Sequence, residues 1–290
     1  MNIELRRNIT VGFLLLYIPT AFAQVTVTDD LQRAVTLTSP VQRIVSLAPS
    51  ITETLFAIGA GEQIVGVTEY CNYPEQAKAK RKVGGITNPS VETIISLKPD
   101  LIVVSMEGNM RSDFDKLTSF GVPVFVTNPR DLNGIYKSIE QLGVLCGKQS
   151  IASTVVRAMK AKADSIGRLV QKLKRRSVLF FVSSQPIIVV GKNTFLSQLI
   201  ELAGGSNTAV RAASTYPTYS REAVLKDNPD VLIFMSDVLV TPDDLPTLYP
   251  EWRTLKAWQQ KNIYRIDPDI VSRPGPRAVN GLEALFTIIH

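Results

Sequence analysis

Asp267 and Asp269, flanking Pro268, could together with Glu107 supply the acid and base of a hydrolysis. Tyr70, Tyr73 and Tyr216 offer rigid apolar faces with one polar tip, which suits gripping a ligand more than reacting with it. Catalysis is poorly provided for: His290 is the only histidine, so a Ser-His-Asp triad or a His-ligated zinc site lacks its working group. Gly84-Gly85 and Gly204-Gly205 belong to no phosphate-binding pattern and read as turns. Asp269 and Arg273, four residues apart, could equally form a local ion pair of little energetic weight.

A second set of carboxylates is placed by repetition. Ser90-Val91-Glu92 precedes Lys98-Pro99-Asp100 and the apolar run Leu101-Ile102-Val103-Val104-Ser105. The pattern recurs as Ser220-Arg221-Glu222, Asn228-Pro229-Asp230 and Val231-Leu232-Ile233-Phe234-Met235-Ser236. Each serine can cap a helix, and a glutamate in its first turn gains roughly 0.3–1 kcal/mol from the helix dipole. Capping explains one such glutamate but not why both halves present it. Two similar lobes enclosing a cleft, each with a matching surface acid, describe a carrier better than a catalyst.

The elements that must hold these groups alternate strand and helix. In the first half, residues 43–47 predict a buried strand, and Ser50-Ile51-Thr52-Glu53 predicts a capping box opening a helix to Gly59. Strands follow at 64–67, 101–105 and 122–126, with helices from Ser90 to before Pro99 and over 112–120. Residues 150–174 keep apolar side chains on one helical face and contain no proline, which predicts a rigid connecting helix about 36 Å long. The second half restarts with a strand at 178–182, a loop at 183–186 and a helix at 193–202. After the echoed segment come a helix at 252–260, a strand at 263–266 and a last helix from 277. The expected fold is α/β: two similar lobes with mainly parallel central sheets, residues 24–147 and 177–290, joined by one long rigid helix within 148–176.

Residues 1–23 read as a cleavable export signal, with Arg6 and Arg7 before an apolar stretch at 11–18 and Ala21-Phe22-Ala23 at the cut. No cysteine follows it, which predicts a soluble periplasmic protein without a lipid anchor. The net charge of +6 is spread among acids, as expected of a solvated face and not of a nucleic-acid groove. Cys71 and Cys146 are the only cysteines; the compartment permits a disulfide between them, which the sequence alone does not decide. Cys71, beside Tyr70, could also act as a soft ligand, although packing is its simpler role.

The chain resembles the periplasmic binding proteins of ABC importers that have a helical backbone between two lobes, the class carrying cobalamin, ferric siderophores and haem. The resemblance rests on Arg43-Ile44-Val45-Ser46-Leu47-Ala48-Pro49-Ser50, Tyr70-Cys71-Asn72-Tyr73-Pro74, Val83-Gly84-Gly85, both Ser-x-Glu segments and Arg273-Pro274-Gly275-Pro276-Arg277, in the family's order. Their spacing is most similar to that of the vitamin B12-binding members. That similarity implies a monomeric, non-enzymatic carrier without a cofactor or protein-held metal. Its ligand would be cobalamin or a related corrinoid, contacted by Tyr70, Ile86, Ser105, Tyr216, Asp269 and Arg273. Ile86 and Ser105 stand where such proteins often carry tryptophan, a departure from an aromatic-rich pocket. Tyr73-Pro74 is expected to be structural, and Arg277 to start the last helix. Glu92 and Glu222 would dock into arginine pockets of the two permease subunits, whose ATPase drives import. Sibling ligands are haem, with Tyr70 as axial ligand, or a ferric siderophore held by Arg273 and neighbouring cations; a secreted hydrolase is the reading from another class.

Overall fold

In the computed structural model, which describes residues 24–37, 41–238 and 244–290, every apolar run read as a strand forms one. The expected export signal lies outside the described residues. A two-stranded antiparallel hairpin, β1 (Val25–Thr28) and β2 (Ala34–Leu37), leads into the first lobe. That lobe runs β3 (Ile44–Ser46), α1 (Pro49–Ala57), β4 (Ile64–Val67), α2 (Val91–Ser96), β5 (Leu101–Ser105), α3 (Arg111–Ser119) and β6 (Val124–Thr127). Its four-stranded sheet has order β4-β3-β5-β6 with every pair parallel. Two helices follow, α4 (Leu132–Leu145) and the lobe-joining α5 (Gln149–Val170).

The second lobe contains β7 (Arg176–Ser184), β8 (Ile187–Val189), α6 (Phe195–Leu202), β9 (Gly205–Asn207), α7 (Arg221–Asp227) and β10 (Val231–Met235). It closes with α8 (Leu245–Leu248), α9 (Lys256–Gln259), β11 (Ile263–Ile266), α10 (Pro268–Val271) and α11 (Ala278–Ile289). β9, β7, β10 and β11 are parallel neighbours in that order, the same arrangement as β4, β3, β5 and β6. β8 breaks the likeness by pairing antiparallel with the far half of β7. The repeat seen in the sequence is thus a repeat of topology.

The Pro-Asp of each copy has a structural duty. Asp100 accepts the backbone N–H groups of Gln42 and Arg43, both at 3.0 Å, and so fixes the start of β3. Asp230 accepts the N–H and hydroxyl of Ser177 at 2.9 and 2.7 Å, fixing the start of β7. Each aspartate ties its lobe's third parallel strand to the first.

Side chains alternate along the strands between separate cores. Leu101 and Val103 join Val178, Phe180, Val231 and Ile233 in one continuous cluster that passes through α1, α4, α5, α6 and α11. Ile102 and Val104 point instead into a core confined to the first lobe, and Leu179 and Phe181 into one confined to the second. Helix α5 is therefore part of a core shared by both lobes.

Four local expectations need correction. Helix α1 begins two residues earlier than the capping-box reading, with Pro49 at its first turn and Ala48, not Ser50, at the cap. Proline has no N–H to satisfy there, so Ser50 lies inside the helix and the Glu53 carboxylate turns elsewhere. Helix α5 spans 22 residues, about 33 Å, and stops before 174; Leu169 and Leu173 stay exposed, so no core rewards a further turn. The helix expected at 252–260 is split at Leu255, which adopts an extended backbone and is buried. Cys71 and Cys146 are both free and buried, so the candidate disulfide is absent.

Candidate functional site

The carboxyl ends of the parallel strands carry the candidate ligand residues, as open α/β sheets place them. On the first lobe, Tyr70 projects from the loop after β4 and is 60% exposed. Its ring lies close to Gly85, where an added Cβ would also come within 2.2 Å of Asn88 Oδ1. Ile86 and Ser105 are joined to the same wall by Asn109. That side chain accepts the Ser105 N–H at 2.8 Å and donates to the carbonyls of Leu47 and Ile86 at 3.1 and 2.8 Å. Exposed Met106 follows Ser105, and a hollow of about 240 Å3 opens behind it, floored by Val104, Phe114 and Val126.

Tyr216 faces this wall from the second lobe, where β8 positions it. Val189 and Gly191 donate to the carbonyls of Pro217 and Thr215 at 3.1 and 2.8 Å, so residues 215–217 lie along the strand. Gly191 is needed there because a Cβ would lie 2.4 Å from the Ser214 carbonyl oxygen. Desolvation, and next the Glu107 carboxylate, push the Tyr216 phenol above its ordinary value, while Arg130 offsets part of the rise. Glu107 and Arg130 belong to the first lobe and pair at 2.5 Å, which puts Tyr216 opposite that pair. Beside it, a hollow of about 650 Å3 separates Arg130 and Asp131 from Asn193, Thr194 and Thr215.

The floor joining the lobes is polar and closed. Arg273 donates to Glu53 at 2.9 Å, to the Asn72 carbonyl oxygen at 2.7 Å and to Asp269 at 2.5 Å. The Asn72 amide donates to the other Asp269 oxygen at 3.0 Å. Arg277 forks onto both oxygens of Glu53 at 2.8 and 2.7 Å, and its guanidinium lies 4.1 Å from the centre of the Tyr73 ring. The hydrogen bond to Glu53 raises the pKa of Arg277 above its already high value, so the guanidinium stays charged. Arg277 stands at the N-terminal boundary of α11, as expected, but its side chain is spent on the first lobe.

The structure therefore brings Tyr70, Ile86 and Ser105 to one wall, Tyr216 to the other, and Asp269 with Arg273 to the floor. Asp269 is 31% exposed at its side chain and Arg273 only 11%. Asp267 caps α10 by accepting the Asp269 N–H at 2.8 Å. Cys71 is 1% exposed and lies 3.1 and 3.2 Å from the hydroxyls of Thr52 and Thr68, a packing role. Sequence reasoning missed Glu53, Asn72 and Asn109. Only Glu53 carried a signal, as an acid within a run of buried positions on α1.

Glu92 and Glu222 are both exposed, one on each lobe. Their serines cap as expected: Ser90 Oγ accepts the Thr93 N–H at 3.2 Å and Ser220 Oγ accepts the Ala223 N–H at 3.1 Å. Its own backbone N–H, and next the Ser220 hydroxyl, hold the Glu222 carboxyl below the usual range. Among the described residues, no group of three or more His, Cys, Asp and Glu could hold a metal ion, and no helix is long and apolar enough to cross a membrane.

Residues 44–270 match the periplasmic binding protein family. An uncharacterized ABC transporter substrate-binding lipoprotein of Bacillus subtilis, YvrC, is 34% identical over 92% of this chain and 85% of its own length. The crystal structure of the periplasmic vitamin B12-binding protein BtuF of Vibrio cholerae superposes with a TM-score of 0.78 at 26% identity, covering 86% of this chain and 97% of that one. The periplasmic heme-binding protein RhuT of Roseiflexus sp. RS-1, in apo form, gives the same TM-score at 28% identity and the same coverage. The chain belongs to the periplasmic binding protein family of non-catalytic transport receptors, as a BtuF-like substrate-binding protein of an ABC importer.

Proposed function

We propose that this receptor works in the periplasm, reached through a cleavable signal, and captures cobalamin or a related corrinoid between its lobes. It then delivers the ligand as a monomer to an inner-membrane permease dimer with its ATPase. The observation that carries the reading is the facing of Tyr70 and Tyr216 above a floor whose half-exposed acid is Asp269. Two aromatic rims suit a broad macrocycle. Asp269 keeps lone pairs for amide donors at its edge, while Ile86 and Ser105 offer a wall that has room for bulk where tryptophan would fill it.

Haem is the second reading, favoured by the RhuT likeness and by the exposed Tyr70 phenol as an axial ligand. A ferric siderophore is less well served, because Arg273 and Arg277 are neutralised by Glu53 and Asp269, leaving no surplus cation on the floor. The acids considered for hydrolysis are similarly occupied: Glu107 by Arg130, Asp269 by Arg273, and Asp267 by its cap.

Calorimetric titration of the mature protein with cyanocobalamin, hemin and a ferric siderophore in parallel tests the assignment. One-to-one saturation by cyanocobalamin alone is expected, weakened at least tenfold by Tyr216→Ala. Saturation by hemin alone, with a Soret band altered by Tyr70→Phe, would replace the corrinoid by haem and leave the transport role standing.

A further inference from the structure

The segment Arg273-Pro274-Gly275-Pro276-Arg277 is engaged with the opposite lobe at every second residue. We propose that this segment is a clamp that sets the angle between the lobes, with Glu53 of α1 as the post it closes on. Arg273 meets Glu53 Oε1 at 2.9 Å, and Arg277 meets both carboxylate oxygens at 2.8 and 2.7 Å. Between the arginines, Gly275 seats on the first turn of α1: a Cβ there would lie 3.2 Å from the Ser50 carbonyl oxygen. Ser50 and Glu53 are one helical turn apart, so they present a single edge of α1 to the segment. Pro274 and Pro276 fix φ on either side of the glycine and hold the two guanidinium groups in a fork.

The charges balance within the cluster. Glu53 and Asp269 offset Arg273 and Arg277, and the side chains of Glu53, Arg273 and Arg277 are only 2, 11 and 16% exposed. A partly buried pair is screened little by salt, and removing one member leaves an uncompensated charge. The clamp also supplies a constraint that α5 lacks. One helix fixes the separation of two bodies but leaves twist about its own axis, whereas a second attachment removes that freedom. A third point lies at the other side, where Gln198 of α6 accepts the Leu132 N–H at 3.1 Å.

The clamp does not depend on which ligand is bound, and its test uses none. Spin labels at Lys116→Cys in α3 and Arg253→Cys report the distance between lobes; both positions are exposed, and native Cys71 and Cys146 are 1 and 2% exposed and so escape labelling. Pulsed dipolar spectroscopy on the otherwise unaltered mature protein is expected to give one narrow distribution. Glu53→Gln should at least double its width or add a second distance, with far-UV circular dichroism unchanged. Arg277→Lys, which keeps the charge but loses the fork, should give an intermediate width and provides the same readout if Glu53→Gln fails to fold. An unchanged distribution in whichever variants fold would overturn the clamp and leave α5 and the shared core as the determinants of the angle.

Discussion

Asp230 shows how one carboxylate serves a lobe. Burial works to raise its pKa, but the Ser177 N–H and hydroxyl, with Lys256 and Arg176, outweigh it and leave the carboxyl below its ordinary value. A depressed folded pKa contributes stability that is complete above the unfolded value of about 3.9 and disappears as pH falls through the folded one. Asp230→Asn should therefore lower stability by about 1–2 kcal/mol at pH 7. The gap in urea midpoint between parent and variant should hold constant down to about pH 5 and close below about pH 4. A gap that persisted undiminished at acid pH would mean that shape, not charge, does the bracing. Glu53 differs because its partners come from the other lobe, so its consequences are felt in orientation as well as stability.

At the scale of elements, α4 and α5 meet through Gly143, where an added Cβ would lie 2.4 Å from the Ala152 Cβ. Helix propensity alone favours Gly143→Ala by about 1 kcal/mol. Overpacking should win, with a net loss of roughly 1–3 kcal/mol in a thermal melt; a raised melting temperature would show that the helices can part without cost. The elements legible in the sequence are those whose signals are local. Ser90 and Ser220 announce their helices because a cap and its N–H lie within one turn, and the central strands β3, β5, β6 and β10 show because their apolar runs are buried on both faces. What escaped notice depends on partners far along the chain. Tyr216 is aligned only because the segment 215–217 lies along Val189 and Gly191, more than 20 positions earlier in the chain. Asn109 looks like a turn residue until Leu47 and Ile86 are seen beside it. Ser50 and Glu53 fitted a capping box by spacing, yet two arginines more than 200 positions away claim the carboxylate.

For the whole molecule, the repeated topology places one exposed glutamate on each lobe. We expect these to guide encounter with a twofold permease, since exposed charges act mainly on association rate and register. Glu92→Lys with Glu222→Lys should slow capture by the cognate permease at least tenfold at low salt, in stopped-flow measurements, while ligand affinity stays unchanged. A rate that did not move, or moved equally at high salt, would leave both glutamates as first-turn charges of their helices. The candidate walls were legible as positions in loops after strands, and so was the local Asp269–Arg273 pair of the floor; the part supplied by Glu53 and Asn72 was not, because it exists only once both lobes are assembled. The apolar cluster that runs from Ile44 through Val156 and Met159 to Leu285 has a further bearing, on how such receptors can diversify. A lobe transplanted alone would carry away half of a core and meet a foreign complement, so lobes are poor units of recombination. The side chains of Tyr70, Ile86 and Tyr216 sit outside that seam, and a new cargo is most cheaply acquired by rewriting such positions one at a time on an undivided frame.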